Sequence, residues 1–241
     1  MSIAVISDIH GNLDALKAVL ADIDRLGIDR IFCLGDNIGY GPEPGEVIQW
    51  LRSREIPSVI GNHELAATRQ KYLSWFNPSA RRSLLRTVEM LSEEDLRYAG
   101  SLPNCRVEDG ARLVHGFPPD SPLIYLFQVP EEKMIRRLER LQESVCFVGH
   151  THDLEIVSFD GKTVSLSRLQ EGTHTLDPDR KYIVNIGSVG QPRDGDNRAK
   201  YAIWTPDRQT VEIRFVAYDI EATARKILKA GLPRAHAMRL F

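Results

Sequence analysis

The sequence predicts an α/β protein in which two β-sheets pack against each other and helices cover their outer faces. Its first half alternates apolar β-rich runs with helical segments, an order typical of parallel strands joined by crossovers. Its C-terminal part contains short β-rich runs separated by turn residues, which indicate a mostly antiparallel second sheet. No repeat, low-complexity tract or linker interrupts the chain, so we expect residues 1–241 to form a single domain.

The opening of the chain fits a βαβαβ order. Ile3 to Ser7 is a short apolar strand, and Asn12 to Leu26 follows as a helix with apolar side chains at helical spacing. Further strands are expected at Arg30 to Leu34 and at Pro57 to Ile60, on either side of a helix over Glu43 to Arg52. Ligands bind beyond the carboxyl ends of the strands in such sheets, so the residues that follow each strand are candidates for a functional site.

A helical insertion is expected at about residues 64–102, because this stretch contains no strand-like run. Its clearest helices are Ala80 to Leu91 and Glu93 to Ala99. Beyond it, Glu131 to Gln142 has the pattern of a charged amphipathic helix, and Val145 to Val148 that of a buried strand.

The last part of the chain is predicted to contain short strands and one closing helix. The expected strands are Leu154 to Phe159, Thr163 to Leu166, Tyr182 to Ile186, Tyr201 to Trp204 and Val211 to Val216. Asp219 to Ala230 then forms a helix that Gly231 and Pro233 end.

Charge and cysteine content limit the function classes. Lys and Arg number 31 against 33 for Asp and Glu, which argues against an extended nucleic-acid-binding face. The cysteines are three in number, and Cys33 and Cys146 lie in apolar runs, which favours buried free thiols in a reducing compartment. No apolar stretch approaches the roughly 18 residues of a membrane span, and no signal peptide precedes Asp8. We therefore expect a cytoplasmic protein with no membrane partner.

Seven side chains that can bind a metal follow the predicted strands or, in the case of His115, the apolar run ARLV. They are Asp8, His10, Asp36, Asn62, His115, His150 and His152. One residue separates Asp8 from His10, and one separates His150 from His152, so both members of each pair can enter one cavity as the chain leaves the sheet. A mixed set of imidazole and oxygen ligands suits borderline divalent ions, with Mn as the first expectation and Fe, Zn, Co or Ni as alternatives.

The number of donors predicts two metal ions. Seven donors exceed the needs of one tetrahedral site, whereas two ions about 3.5–4 Å apart and bridged by a carboxylate use all of them. Asp36 is the natural bridge. Such a pair lowers the pKa of a bound water, clamps two phosphoryl oxygens and neutralises the charge that develops during attack on phosphorus. Each short motif means little alone, so the interpretation depends on their order and their strand-end positions.

These motifs resemble those of the calcineurin-like metallophosphoesterase superfamily. They are SDIHGN, GDNIGYG, GNHE, the histidine of VHGF, and GHTH, and they span residues 7–152. NIGSVGQPRDGD, from Asn185 to Asp196, is further similar to the small bacterial phosphodiesterase branch and extends the match over nearly the whole chain. The resemblance implies a four-layer α/β/β/α sandwich of two mixed sheets.

The resemblance also implies how the donors divide. One metal takes Asp8, His10, Asp36 and His152, and the other takes Asp36, Asn62, His115 and His150. His63 then lies outside both sets, as a phosphate contact and the proton donor to the leaving group.

Two departures from the family pattern affect what can be transferred. Relatives usually carry Asp where this chain has Glu64, so we expect the carboxylate that orients His63 to be rearranged or supplied differently. The loop GDNIGYG lacks the arginine that protein phosphatases and symmetrical dinucleoside tetraphosphatases carry in GDxVDRG. Those two activities are therefore not transferred.

Asn12 and Arg193 are candidate substrate contacts near the motifs. Asn12 follows the Asp8 loop, but Asn before Leu13 is also a standard helix N-cap, and the cap is the favoured interpretation. Arg193 has two equal interpretations, a bidentate phosphate contact or a surface arginine.

Trp75 and Arg82 are candidate substrate contacts in the helical insertion. An aromatic ring beside arginines could form a lid that stacks a nucleobase and holds a distal phosphate. Helical aromatics more often pack in a core, which is the competing interpretation. His174 and His236 lie outside the motifs, and we expect both at the surface.

Together these features predict a two-metal phosphoesterase that hydrolyses small phosphodiester or nucleotide-like substrates by attack of metal-bound hydroxide. A nuclease is one alternative, but it needs a basic groove that the composition does not supply. A non-catalytic protein-binding scaffold is the other, because the superfamily includes a retromer subunit with an eroded metal site. Here every donor position holds a competent residue, which favours an enzyme. The sequence leaves open the exact substrate, the native metal pair and the oligomeric state.

Overall fold

The computed structural model describes residues 2–241 and contains eleven strands and eight α-helices in that range. The strands are β1 (Ile3–Ile6), β2 (Ile31–Cys33), β3 (Cys105–Glu108), β4 (Ala111–Val114), β5 (Val145–Val148), β6 (Leu154–Phe159), β7 (Val164–Arg168), β8 (Gly172–Thr175), β9 (Lys181–Ile186), β10 (Ala199–Thr205) and β11 (Thr210–Val216). The helices are α1 (Leu13–Arg25), α2 (Pro44–Ser53), α3 (Asn62–Thr68), α4 (Pro78–Met90), α5 (Glu93–Ser101), α6 (Glu131–Arg140), α7 (Ile220–Lys229) and α8 (Arg234–Met238).

The strands form two mixed sheets. The five-stranded sheet has the order β2-β1-β10-β11-β8, with β1 and β2 parallel and the other pairs antiparallel. The six-stranded sheet has the order β3-β4-β5-β9-β6-β7, in which β4, β5 and β9 run parallel and the outer pairs are antiparallel. The carboxyl ends of β1, β2, β4 and β5 are the ends that the sequence motifs follow.

Three apolar clusters place these elements in layers. One lies between the sheets and contains Val5, Phe147 and Trp204. A second packs the five-stranded sheet against α1 and α2, and a third packs the six-stranded sheet against α6. The order helix, sheet, sheet, helix confirms the four-layer sandwich.

The C-terminal strands do not form a sheet of their own, so the expected antiparallel second sheet is wrong. β10 and β11 extend the sheet that β1 begins, whereas β6, β7 and β9 complete the sheet of β4 and β5. The reason lies in β10, where Ala202 and Trp204 enter the core between the sheets while Tyr201 and Ile203 enter the core beside α1. A strand that is apolar on both faces needs a central position, and the place beside β1 provides one.

The segment 57–60, predicted as a third strand, forms only a bridge. Ser58 pairs with Cys33 in parallel. The amide of Ile60 instead donates a hydrogen bond to the carbonyl of Pro103, so the ladder does not continue. The segment still runs beside β2 and leads into α3 at the same edge of the sheet.

Three short elements were not predicted. β3 and β8 are half-exposed edge strands without a strong apolar pattern. α8 follows α7, although the sequence predicts α7 as the last helix, because Ala237 and Leu240 pack with Ile227 of α7. The other predicted helices, and the strands other than the segment 57–60, are confirmed to within a few residues.

The expected helical insertion contains α3, α4, α5 and a 3-10 segment over Gln70–Trp75. Its organisation as part of a single domain stays a prediction. None of the helices within residues 2–241 has the length and apolar character needed to cross a membrane.

Candidate active site

The seven predicted donors converge at one edge of the two sheets. Asp8 and His10 follow β1, Asp36 follows β2, His115 follows β4, His150 and His152 follow β5, and Asn62 begins α3. Each is at most 7% exposed. Polar side chains are rarely buried in such numbers without a partner to satisfy them, so this edge is a built site.

One group of donors surrounds His152. Its Nε2 lies 3.1 Å from Oδ1 of Asp8 and 3.1 Å from Nε2 of His10. Nε2 of His10 in turn lies 3.7 Å from Oδ2 of Asp36. We call Asp8, His10, Asp36 and His152 the first donor cluster.

The other group surrounds His115. Its Nε2 lies 3.1 Å from Oδ1 of Asn62, 3.2 Å from Nδ1 of His150 and 3.3 Å from Oδ2 of Asp36. We call Asp36, Asn62, His115 and His150 the second donor cluster. The two clusters share Asp36, and the division of the metal ligands that the resemblance implies stays a prediction.

The backbone at these donors is strained. Asp8, His10, Asp36, His150 and His152 have left-handed φ values between 51° and 69°. Residues other than glycine rarely adopt this conformation, which costs of order 1–3 kcal/mol each. Gly149 allows the tight turn before His150, because a Cβ there would lie 2.3 Å from Oδ2 of Asp8.

Backbone carbonyls fix the tautomers of three histidines. Nδ1 of His10 lies 3.0 Å from the carbonyl of Ile38, and Nδ1 of His115 lies 3.0 Å from that of Leu34. Nδ1 of His152 lies 2.5 Å from the carbonyl of Gln191. A carbonyl only accepts, so each Nδ1 carries the proton and each Nε2 directs a lone pair into the site.

This tautomer assignment makes the donor set fit a metal. The facing Nε2 atoms of His10 and His152 are then both acceptors, and two acceptors 3.1 Å apart repel each other unless a cation lies beside them. A carbonyl bound to the outer nitrogen of a histidine is also the usual support of a metal ligand.

The carboxylates of Asp8 and Asp36 each use one oxygen for hydrogen bonds to the protein and direct the other into the site. Oδ2 of Asp8 accepts hydrogen bonds from the Ser7 hydroxyl and the His150 amide, whereas its buried Oδ1 faces Nε2 of His152 and accepts no hydrogen bond within residues 2–241. Oδ1 of Asp36 accepts from the His63 amide, and Oδ2 faces the imidazoles. Each carboxylate is therefore held by one oxygen and presents the other to the site.

Burial and neighbouring charges favour the metal-binding protonation states of His10, His150 and Asp36, whereas His115 must release a proton when a cation binds. Burial holds the pKa of His10 well below its ordinary value and lowers the pKa of His150 to about 3. Burial opposes ionisation of Asp36, but the nearby imidazoles, His115 first, hold its pKa well below the usual range. Burial opposes protonation of His115, but Asp36 raises its pKa to about 9. Ionised carboxylates beside neutral imidazoles are the forms that coordinate a cation.

His63 lies against the clusters. Its Nε2 is 3.9 Å from Oδ2 of Asp36, and its ring packs between Tyr40 and Phe76 at centroid distances of 4.6 and 4.8 Å. Burial lowers the pKa of His63 to about 4. Aromatic rings, rather than a carboxylate, hold this imidazole in place.

Glu64 holds the backbone of the loop that contains Asp36 through hydrogen bonds. Its carboxylate accepts hydrogen bonds from the amides of Asp36, Asn37, Ile38 and Gly61 at 2.7 to 3.2 Å. Burial and the Asp36 carboxylate raise the pKa of Glu64 to about 7, while the amide donors act in the opposite direction. Glu64 thus fixes the backbone on which the shared donor is mounted.

The four candidate substrate contacts have different positions. Asn12 is 2% exposed and caps α1 through the Ala15 amide, which confirms the cap, and its amide group donates to the carbonyl of Gly190. Arg193 is exposed, and its amide donates to the carbonyl of His152.

Trp75 and Arg82 both lie on the insertion. Trp75 is 66% exposed and borders a cavity of about 230 Å³ that also touches Asn62 and His150. Arg82 is exposed on α4, and its charge reaches His236.

Sequence reasoning missed several residues around the donors. Tyr125 stacks on His150 with a centroid distance of 3.7 Å, and Tyr40 lies 4.6 Å from the ring of His10. His236, expected at the surface, is 3% exposed and packs against Tyr40 at 4.7 Å. Tyr40 lies inside the GDNIGYG motif, so its position was a usable signal, whereas Tyr125 and His236 carry no local signal.

A sandwich of two mixed sheets with buried His, Asp and Asn donors at the strand ends has the construction of a metal-dependent hydrolase. Residues 1–209 match the family model described as the calcineurin-like phosphoesterase superfamily domain. The chain therefore belongs to the calcineurin-like phosphoesterase superfamily, a family of phosphate-ester hydrolases that use divalent metals.

Individual relatives agree with this assignment. The chain is 39% identical to the uncharacterized protein MJ0912 of Methanocaldococcus jannaschii, over 99% of this chain and 97% of that protein. It superposes on the crystal structure of a metallophosphoesterase from Sphaerobacter thermophilus with a TM-score of 0.83 and 39% identity, covering 100% and 98% of the two chains. It is 25% identical to the symmetrical bis(5'-nucleosyl)-tetraphosphatase of Methylobacillus flagellatus, over 73% of this chain and 64% of that protein.

Proposed function

We propose that the protein is a dinuclear metal-dependent phosphoesterase that hydrolyses small phosphodiester or nucleotide-like substrates. The observation that supports this most strongly is a set of buried donor groups that meet at Asp36. Asp36 lies with His115 and His150 in one group and with His10 and His63 in another, and His10 also joins Asp8 and His152. Asp8, His10 and His152 complete one binding set, and Asn62, His115 and His150 complete the other. Mn is the proposed metal, with Fe, Zn, Co or Ni as alternatives of similar ligand preference.

The protein residues prepare the site before substrate arrives. Bound divalent ions would supply an activated water and compensate negative charge on the phosphoryl oxygens. Asp36 holds the two clusters in register, since its Oδ2 faces His10 on one side and His115 on the other. The carbonyls behind three of the histidines keep the Nε2 lone pairs aimed inward and so exclude the wrong tautomer.

His63 is the proposed proton donor to the leaving oxygen. Its Nε2 is on the side of the clusters, and His63 forms a donor group with His10 and Asp36, but the two proposed ligand sets do not include it. Its Nδ1 packs against Gly39, where an added Cβ would lie 2.1 Å away, so only glycine lets the loop approach the ring this closely. The pKa of His63 is about 4 in the free protein, so the proposed role requires the negative charge of a bound phosphate to favour the protonated imidazole.

A nucleotide-like substrate is supported by two observations. Exposed Trp75 borders the cavity that reaches Asn62 and His150, which provides an aromatic face beside the second donor cluster. Similarity to a bis(5'-nucleosyl)-tetraphosphatase points in the same direction.

Cys33, Cys105 and Cys146 are all free, which supports a location in the reducing cytoplasm.

Chelation and restoration of activity test this proposal. The protein is stripped of metal with a chelator, then assayed with and without Mn against bis-p-nitrophenyl phosphate and a panel of nucleotide esters. We expect activity to disappear on chelation and to return with Mn. The variant His150→Ala should lose activity and bound metal, whereas the control His174→Ala should keep both, because His174 lies on the edge strand β8. Undiminished turnover in the thoroughly stripped protein would exclude the proposal.

A further inference from the structure

A second pocket opens beside the donor clusters. It has a volume of about 590 Å³, and Tyr40, Asn77, Tyr125, Arg193, Arg239 and Phe241 line it. We call it the distal pocket. Tyr125 stacks on His150 and Tyr40 contacts the rings of His10 and His63, so one side of the pocket begins at the rim of the donor clusters.

The opposite side of the distal pocket is positively charged. Arg193 and Arg239 line it, and neither forms an ion pair with any residue in the range 2–241. The guanidinium group of Arg193 donates to the neutral side chain of Gln191 and interacts with the Tyr40 hydroxyl, and neither partner carries a charge. Asp196 also borders the pocket, but Arg198 binds its carboxylate with hydrogen bonds of 2.7 to 3.1 Å. The pocket therefore offers unpaired positive charge.

Arg239 directly follows α8, a helix that packs firmly against the rest of the protein. Ala237 and Leu240, on either side of it, pack with Ile227 of α7, and the buried ring of His236 lies 4.7 Å from Tyr40. Burial lowers the pKa of His236 to about 4. An interaction with the Ser79 carbonyl opposes this shift, and the charges of the surrounding arginines act in the same direction as burial. The neutral imidazole is thus a packing residue that holds α8 against the active-site loop.

We propose that the distal pocket binds a second phosphate group of the substrate, beyond the phosphate that is hydrolysed. This inference rests on the proposed function and narrows the substrates to esters or anhydrides that carry a polyphosphate chain. Guanidinium groups bind phosphate oxygens in a bidentate manner, and Arg193 and Arg239 are free to do so. The volume lies within the range of small-molecule sites and exceeds what one phosphate fills.

The aromatic residues of the pocket fit the remainder of such a substrate. Phe241 is 65% exposed and lines the pocket together with Tyr125, so both can offer a ring face to a nucleobase. Inorganic phosphate and simple aryl esters have no nucleobase, so they do not need these ring faces. The preferred substrate is therefore a nucleoside or dinucleoside polyphosphate.

Kinetics of matched arginine variants test the proposal. Arg239→Ala removes a charge from the distal pocket, whereas Arg234→Ala removes the same charge from the exposed start of α8, outside the pocket. We expect Arg239→Ala to lose about tenfold more kcat/KM on a dinucleoside polyphosphate than on bis-p-nitrophenyl phosphate, since one charge-assisted hydrogen bond has about this effect. Arg234→Ala should show equal ratios. Equal ratios for both variants would overturn the proposal.

A binding measurement separates this inference from the proposed function. Inorganic tripolyphosphate is titrated by calorimetry into the chelated, metal-free protein. Binding that weakens about tenfold in Arg239→Ala but not in Arg234→Ala supports the distal pocket, even if every ester assay fails and the hydrolase proposal falls. An active enzyme whose affinity for tripolyphosphate is the same in both variants would refute the pocket and leave the hydrolase proposal intact.

Discussion

At the scale of single residues, the site depends on hydrogen bonds between the backbone and the outer atoms of the donor side chains. Nδ1 of His10 donates to the Ile38 carbonyl, and Oδ1 of Asp36 accepts from the His63 amide, so the opposite atom of each side chain is fixed toward the cavity. The same logic extends to Glu64, which holds the backbone of the Asp36 loop. Substitutions of these supports should therefore act on metal affinity and stability together.

Glu64→Gln should destabilise the protein by about 3 kcal/mol, because the amide replaces one acceptor with a donor and leaves buried N–H groups unsatisfied. Urea unfolding of the metal-free protein measures this change. Glu139→Gln, on the exposed face of α6, is the matched control and should change stability by less than about 0.5 kcal/mol. Similar stability in the two variants would show that Glu64 does not fix the loop.

His63→Asn should keep both metals and lose activity according to the leaving group. General acids contribute about 10²–10⁴-fold, and an alkoxide needs this help far more than p-nitrophenolate does. We therefore expect most activity on a nucleotide ester to disappear and distinctly less to be lost on a p-nitrophenyl ester. A loss independent of the leaving group would instead assign His63 to phosphate binding, and loss of metal would make it part of the donor set.

At the scale of elements, α1 is tied to the five-stranded sheet by one buried carboxylate. Asp22 is 7% exposed and accepts hydrogen bonds from Arg214 of β11 and from the Tyr201 hydroxyl of β10 at 2.7 Å each. Burial opposes ionisation of Asp22, but these hydrogen bonds and the charges of Arg214 and Arg25 hold its pKa below the ordinary value. The helix that follows the Asp8 loop is fixed in this way.

Asp22→Asn should lower the free energy of unfolding by about 2 kcal/mol at neutral pH, since it weakens the charge-assisted hydrogen bonds from Arg214 and leaves that guanidinium with Glu212 as its remaining charged partner. Because the folded pKa of Asp22 is depressed, its contribution is present above the unfolded pKa of about 3.9 and is lost as pH falls through the folded value. The difference from the wild type should therefore shrink in unfolding curves measured below pH 4. Asp24→Asn, which breaks an exposed pair with Arg54, is the control and should cost under about 1 kcal/mol at every pH. A pH-independent difference for Asp22→Asn would contradict the assignment.

The 3-10 segment that carries Trp75 should influence substrate choice rather than folding. Trp75 is 66% exposed, so Trp75→Ala should change stability by less than about 0.5 kcal/mol. Loss of a stacking face should lower kcat/KM for a nucleotide ester by about tenfold more than for bis-p-nitrophenyl phosphate. Leu166→Ala, an equally exposed apolar residue on edge strand β7, should treat both substrates alike. Equal losses in Trp75→Ala would favour a packing role.

The elements also show what sequence could and could not predict. The donors were predictable because each lies beside a strong strand pattern and within an ordered motif. The pairing of β1 with β10 was not predictable. The apolar pattern on both faces of β10 shows that the strand is central but does not show which sheet it joins. Arg239 and Tyr125 reach the site through the packing of α8 and of a loop, and no local periodicity records such contacts.

At the scale of the whole molecule, two sheets contribute to one cavity. β1 and β2 of the five-stranded sheet supply Asp8, His10 and Asp36, while β4 and β5 of the six-stranded sheet supply His115, His150 and His152. The apolar core between the sheets fixes these strand ends relative to each other. Asp36 lies where the two contributions meet, so it should couple metal binding across the molecule.

Counting the metals in protein loaded with excess Mn tests this account most directly. Anomalous diffraction from crystals, supported by elemental analysis, should find two ions per chain with Asp36 touching both. Asp36→Ala should lose both ions and activity toward every substrate, whereas Asp29→Ala, an exposed residue before β2, should retain both. A single ion per chain, or an Asp36→Ala variant with full metal content and full activity, would contradict the shared-carboxylate site.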